Sequence, residues 1–300
     1  MELVDKLSNR QYIDGEWVES SNKNTRDIIN PYNQETIFTV AEGTKEDVER
    51  AILAARRSFE DGEWSLETSE VRGKKVRAVA DKIKENREEL AKLETLDTGK
   101  TLEESYADMD DIHNVFMYFA GLADKDGGEM INSPIPNTES KIVKEPVGVV
   151  TQITPWNYPL LQASWKIAPA LATGCSLVMK PSEITPLTTI RVFELMEEVG
   201  FPKGTINLVL GAGSEVGDVM SGHEEVDLVS FTGGIETGKH IMKQAANHVT
   251  DVALELGGKN PNIIFDDADF ELAVDQALNG GYFHAGQVCS AGSRILVHND

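Results

Sequence analysis

From residue 147 onward the chain repeats one pattern, a short β-branched run followed by a stretch with helical periodicity. The runs are Val147 to Ile153, Ser176 to Met179, Ile206 to Val209, Leu228 to Phe231 and Val252 to Leu254. Between them lie Leu160 to Leu171, Leu187 to Val199, Glu215 to Met220 and Glu236 to Asn247, which read as helices. Strands joined through helices pair in parallel, so the pattern predicts an α/β fold with a Rossmann-type parallel sheet. Ligands in such folds sit beyond the carboxyl ends of the strands, so chemistry is to be sought in the residues that follow each run. A further αβ unit begins at Asn262 to Phe265.

The first part of the chain has a different texture. Short β-like runs at Gln11 to Val18, Thr25 to Ile29 and Thr36 to Val40 are punctuated by Asp14-Gly15 and Asn30-Pro31, both turn signals. Thr44 with Asp47 three residues later forms a capping-box pattern ahead of an apolar-periodic stretch to Phe59. Val71 to Leu96 continues with Lys/Glu pairs at helical spacing and reads as solvated outer helix. The β-rich pieces at 1 to 40 and at Ser140 to Lys144 have no place among the parallel strands and are expected to cover a sheet edge or a neighbouring subunit.

Composition narrows the function. A length of 300 residues accommodates two domains, and 28 basic against 50 acidic residues give a net charge of −22. Such a surface repels phosphate backbones and anionic lipid, which argues against nucleic-acid and membrane partners. No run approaches the length of a membrane span, and MELVDKLSNRQYIDG lacks a signal-peptide core, so a cytoplasmic location is expected. Two cysteines, in neither a CxxC nor a zinc-type cluster, leave each thiol to be explained singly.

Cys289 lies in Gly286-Gln-Val-Cys-Ser-Ala-Gly292, among small residues that let a substrate approach a thiol. It reads equally as a nucleophile or as a small buried hydrophobe, whereas Cys175 enters an apolar strand and reads as core. Glu255 ends a strand beside Gly257 and Gly258, either as a reacting carboxylate or as a strand-terminal acid facing water. Asn157, in Thr154-Pro-Trp-Asn-Tyr-Pro159, is either an oxyanion donor or a turn residue. Three strand ends carry cofactor-like turns: Lys180-Pro-Ser182-Glu183, Gly211-Ala-Gly213-Ser-Glu-Val-Gly217 and Phe231-Thr232-Gly233-Gly234. The glycine run has its third glycine one residue late for G-x-G-x-x-G, but three such turns on one sheet converge on one crevice.

In this order, Thr154-Pro-Trp-Asn157, Lys180-Pro-Ser-Glu183, Phe231-Thr-Gly-Gly234, Glu255-Leu-Gly-Gly-Lys259 and Gly286-Gln-Val-Cys289 resemble the aldehyde dehydrogenase superfamily, from Ile29-Asn-Pro31 to the last residues. Leu93-Glu-Thr-Leu-Asp-Thr-Gly-Lys100 and Trp156-Asn-Tyr-Pro159 with Ala163-Ser-Trp-Lys166 are most similar to its betaine aldehyde dehydrogenases. The resemblance implies an NAD-binding domain over 1–135 and 147–255, part of a β-hairpin oligomerisation arm at 136–146, and the beginning of a catalytic domain at 256–300. Family chains continue well past the nucleophile, so this sequence matches their N-terminal portion.

The resemblance also implies roles. Cys289 would attack the aldehyde carbon, with Asn157 and its own N–H holding the oxyanion. Glu255 would activate water against the thioester, which favours a free acid over transfer to coenzyme A. Lys166 corresponds to a family lysine in proton relay, or is a helix-surface cation. Lys180, Ser182 and Glu183 would surround the adenosine ribose, with Ile153, Thr154, Pro155, Trp156, Gly213, Gly217, Gly257 and Phe231 to Gly238, Thr237 among them, along the rest of the cofactor. Glu183 favours NAD, while Lys180 leaves NADP as the alternative. Most relatives carry Ser or Thr at Gly234, so looser cofactor binding is expected here. Tyr158 and Trp165, seven residues apart, would form an aromatic wall for a quaternary ammonium, or else pack the core. Ile28, Asp97 and Ile184 match a monovalent cation site for K+ or Na+. The expected activity is oxidation of betaine aldehyde to glycine betaine by a homo-oligomer, dimer or tetramer. The alternatives are an aminoaldehyde or other small-aldehyde dehydrogenase, or a non-catalytic dinucleotide-binding protein of the same fold.

Overall fold

The computed structural model describes residues 3–125 and 127–299. The chain opens with two antiparallel pairs, β1 (Gln11–Ile13) with β2 (Glu16–Val18) and β3 (Thr25–Ile29) with β4 (Thr36–Ala41). Helices α1 (Lys45–Glu60), α2 (Ser69–Glu85), α3 (Arg87–Thr98) and α4 (Leu102–Leu122) follow, then a hairpin of β5 (Glu129–Ile131) and β6 (Ser140–Ile142). The alternating region contains β7 (Val149–Ile153), α5 (Pro159–Thr173), β8 (Ser176–Lys180), α6 (Leu187–Val199), β9 (Ile206–Leu208), α7 (Asp218–Gly222), β10 (Leu228–Gly233), α8 (Ile235–Ala245) and β11 (Asp251–Leu256). Last come β12 (Pro261–Ile264), α9 (Phe270–Tyr282) and β13 (Arg294–Val297).

The main sheet runs in the order β11-β10-β7-β8-β9-β1-β2. The first five strands in that order are parallel, and β1 closes the β9 edge in antiparallel fashion through Tyr12 and Leu208. The first residues therefore cover an edge, as their lack of a parallel partner implied. Progress is outward to β8 and β9 on one side of β7 and to β10 and β11 on the other. The crevice between β7 and β10 is thus the topological switch point where this architecture binds ligands. Register sets its floor: Lys180 pairs with Ile153, Ile153 with Phe231, and Phe231 with Leu254, one row across four strand ends.

Alternation along β7 and β8 divides the core in two. Val149, Ile153, Val178 and Val229 face α1, α7 and α8, while Val150, Leu177 and Met179 face α5 and α6, backed by α2, α3 and α4. In α1 the capping box is formed, and Val48, Ala51, Ile52 and Ala55 bury one stripe at helical spacing. The stretch Val71 to Leu96 is two helices rather than one, broken at Asn86, whose backbone leaves the helical region. Nor is it merely outer: Val76, Val79, Ala80, Ile83, Leu90 and Leu93 are fully buried, partly under α4, which no local pairing signal announced. The hairpin also begins earlier than 136–146, because β6 pairs with β5 through Ile131 and Ser140.

At the amino ends of the strands, Asp227 ties three elements together. Its Oδ2 accepts the Val149 N–H at 2.7 Å and meets Arg56 Nη2 of α1 at 2.7 Å. Gly148, with φ +128°, lies so close that a Cβ there would overlap this carboxylate. Gly148→Ala combines a disfavoured φ with loss of the Asp227 anchor and is expected to lower stability by about 2 kcal/mol or more, read by chemical denaturation.

Candidate active site

A cleft of about 850 Å³ opens at the carboxyl ends of β7, β10 and β11. Asn157, Glu255 and Cys289 line it together with Pro155, Trp156, Thr232, Gly233, Gly234, Thr237 and Gly257. The Cys289 thiol is free and exposed, so it is not the buried hydrophobe its local sequence also allowed. Its carbonyl accepts the Asn260 amide at 2.9 Å, which fixes the main chain of the nucleophile loop. Asn157 Nδ2 donates to the Gln287 carbonyl at 2.7 Å. An amide carries two N–H groups, so one is held by the loop and the other is available to an oxyanion. Glu255 is exposed at the end of β11, beside Thr232 of β10.

Lys166 lies on α5 but is buried rather than on the helix surface, with Nζ 3.1 Å from Ser230 Oγ. Burial lowers its pKa to about 8, against the opposing pull of the Glu255 carboxylate. An amine in that range exchanges protons near neutral pH, within electrostatic reach of the acid that lines the cleft.

A second cleft, of about 600 Å³, is lined by Ile153, Glu183, Gly213, Gly217 and Phe231. It shares Glu236 and Thr237 with the first, so the two clefts adjoin across the sheet end. Lys180 is buried, with Nζ 2.9 Å from the Pro181 carbonyl and 3.2 Å from Glu183 Oε2, and burial lowers its pKa. Burial pushes the Glu183 carboxyl up, but the Lys180 charge and hydrogen bond outweigh it and hold Glu183 below its ordinary value. Ser182 is buried beside them, and Thr154 Oγ1 is a buried hydroxyl without a partner among the described residues. At the N-terminus of α8, Gly234 caps with no side chain, and open space surrounds its Cα. An ionised acid, an orphan hydroxyl and uncapped N–H groups along one groove fit a dinucleotide. Gly238 plays a packing part: a Cβ there would meet Leu256 Cδ2 at 2.8 Å.

The model of the "Aldehyde dehydrogenase family" matches residues 17–300. The chain belongs to the aldehyde dehydrogenase family. It is 67% identical over 293 residues to the betaine aldehyde dehydrogenase of Bacillus subtilis, covering 98% of this chain and 60% of that one. It is 46% identical to the peroxisomal aminoaldehyde dehydrogenase 1 of Pisum sativum, covering 97% of this chain and 59% of that one. A crystal structure of Staphylococcus aureus betaine aldehyde dehydrogenase in complex with NAD+ matches at 91% identity and a TM-score of 0.99, covering 100% of this chain and 59% of that one. The chain thus spans about three fifths of the length of these relatives.

Other family positions are placed differently. Tyr158 and Trp165 are not in ring contact: Tyr158 packs against His284 with centroids 4.9 Å apart, and the Lys100 ammonium sits 4.3 Å from its ring centre. Trp165 is half exposed. Lys100 is itself buried with Asp108 and, at 3.5 Å, with Glu94. Of the cation-site positions, Asp97 is buried, its Oδ2 accepts the Leu187 N–H at 2.8 Å, and its Oδ1 has no partner among the described residues. Burial raises its pKa well above the carboxylate range, a tendency a bound cation would offset. That orphan oxygen fits such an ion; Ile28 is buried and Ile184 exposed. Sequence reasoning missed Gln287, Asn260 and His284, all of which hold the nucleophile loop by contacts distant in sequence.

Lys166 generates a prediction. Its pKa of about 8 means that it is charged below that pH and free to accept a proton above it. In the reading in which Lys166 relays protons, aldehyde oxidation would rise between pH 7 and 9 with an inflection near 8, and the steady-state pH profile of Lys166→Met would lack that inflection.

Proposed function

We propose that the protein oxidises an aldehyde to a carboxylic acid with NAD, betaine aldehyde to glycine betaine being the leading substrate. The observation that carries the reading is the convergence of Cys289, Asn157 and Glu255 on one cleft that adjoins the dinucleotide groove. The exposed Cys289 sulfur attacks the aldehyde carbon, and the charge that develops on oxygen is met by the free Asn157 N–H and the Cys289 N–H. NAD, held along Glu183, Thr154 and the α8 N-terminus, supplies the hydride acceptor. Glu255 takes a proton from the water that hydrolyses the resulting thioester, and Lys166 passes protons beside it. These carboxylate, amide and thiol functions argue against a binding protein without turnover.

Ionised Glu183 supports NAD over NADP, because it repels a 2′-phosphate and Lys180 is already committed to it. The Bacillus subtilis and Staphylococcus aureus relatives support betaine aldehyde, and the Pisum sativum relative supports an aminoaldehyde as the second reading. The 1–135 and 147–255 segments form the cofactor domain in this reading, and residues from 256 belong to the catalytic one. The 136–146 arm, widened to the whole β5–β6 hairpin, exposes Met130, Ile131 and Ile142 and suits pairing with a second copy. A cytoplasmic location accords with the absence, among the described residues, of a helix long and apolar enough to cross a membrane. Asp97 with the main-chain oxygens of Ile28 and Ile184 would hold K+ or Na+.

Steady-state NADH formation with a panel of aldehydes and both cofactors tests the reading. Betaine aldehyde is expected to be turned over in preference to an uncharged aldehyde of similar size, and no preference would sink the trimethylammonium assignment. Cys289→Ala is expected to reduce the rate by about a thousandfold or more; unchanged NADH formation would overturn the mechanism. Gly234→Ser adds a hydroxyl at an uncapped helix start, in open space. It is expected to tighten NAD several-fold by equilibrium titration, and an unchanged dissociation constant would show that Gly234 does not loosen the cofactor.

A further inference from the structure

His284 precedes the nucleophile by five residues, and neither the groove nor the catalytic steps above make use of it. It is 5% exposed, and its ring packs on Tyr158. Its Nε2 lies 3.0 Å from the carbonyl oxygen of Asn157. A carbonyl can only accept, so Nε2 carries the proton and donates it. Burial first, and then the Lys100 ammonium, lower the imidazole's pKa, which keeps the neutral donor tautomer. The main chain is held as firmly: the His284 N–H donates to Glu104 Oε1 at 3.1 Å, while Glu104 Oε2 closes the capping box of α4 with Thr101. His284 and Ala285 both adopt left-handed backbone, at φ 50° and φ 53°, a conformation that non-glycine residues hold only where their surroundings enforce it.

These bonds form a closed circuit. His284 grips the backbone of Asn157, and the Asn157 side chain returns to Gln287, three residues beyond His284 and two before Cys289. We propose that His284 is a positioning residue, whose Nε2–H fixes the Asn157 turn against the nucleophile loop and so aims the remaining Asn157 N–H at the oxyanion beside Cys289. The proposal rests on the reading of Asn157 as oxyanion donor given above. It assigns the imidazole no proton transfer: burial and the Lys100 ammonium keep the ring neutral, the Glu104 and Asp108 carboxylates pull the other way without prevailing, and Tyr158 packs against it.

The test exploits the two ring nitrogens. A glutamine amide can set an N–H where Nε2 lies, whereas the shorter asparagine reaches only to the Nδ1 position. In the full chain, His284→Ala and His284→Asn are expected to lower kcat for aldehyde oxidation by about tenfold or more with KM nearly unchanged, and His284→Gln to recover to within about threefold of the parent. Alkylation of Cys289 by iodoacetamide, which needs no aldehyde turnover, is expected to change several-fold in the first two variants and return in the third. If all three match the parent in both measurements, or if Gln is as impaired as Asn, the proposal is overturned. A parent chain that is inert toward aldehydes refutes the functional reading instead, and the alkylation series then decides the positioning role alone.

Discussion

Parallel pairing of β7 with β10 is the constraint on which the rest of the molecule depends. The two strands are distant in sequence and adjacent in the sheet, and their ladder sets Phe231 level with Ile153. From that register the Asn157 turn, the uncapped start of α8 and the Glu255 strand end emerge at one height around one crevice. The opposite end is anchored by the Asp227 carboxylate, which serves Val149 and Arg56 together. A slip of one residue would turn Val149 and Ile153 away from one core and Val150 away from the other, so two hydrophobic faces defend the register.

Within this frame, three lysines lie in the interior with different burdens. Lys180 is tied to Glu183 and keeps that acid ionised on the wall of the second cleft. Lys100 is shared between Asp108 and Glu94, so its charge is largely spent inside the protein, and it stiffens the floor beneath Tyr158. Lys166 has only the Ser230 hydroxyl and a more distant Glu255, and burial brings it to the edge of neutrality. The same side chain thus acts as a clamp or a strut, or rests as an amine near neutrality, according to how fully its charge is compensated.

What the sequence made legible follows from how local each signal is. The alternation of short strands and helices from residue 147, the Thr44–Asp47 cap and the glycine-rich strand ends are written within a few residues of one another and were read with small errors at element ends. Asn86 gives no strong break signal, so α2 and α3 merged into one reading. β5 has the look of a loop until β6, nine residues later, pairs with it. The contacts of Tyr158 were not legible because Lys100 and His284 reach it from elements far away in the chain, and helical spacing to Trp165 says nothing about them. Asn157 and Glu255 drew attention because they follow strand ends, and Cys289 because small residues flank it; the residues that hold this group in place belong to loops with no period at all.

The nucleophile loop has one more property that follows from where it hangs. It connects α9 to β13, and β13 pairs only with β12, in a two-stranded parallel ladder apart from the main sheet. Ile263, Ile295, Leu296 and Val297 of that ladder are more than half exposed, in contrast to the fully buried β7 and β8. A two-stranded ladder with so much apolar surface open is marginal by itself and calls for a further covering element. The Glu183 groove is therefore fixed by the main sheet, whereas the aim of the Cys289 sulfur depends on how this ladder is covered.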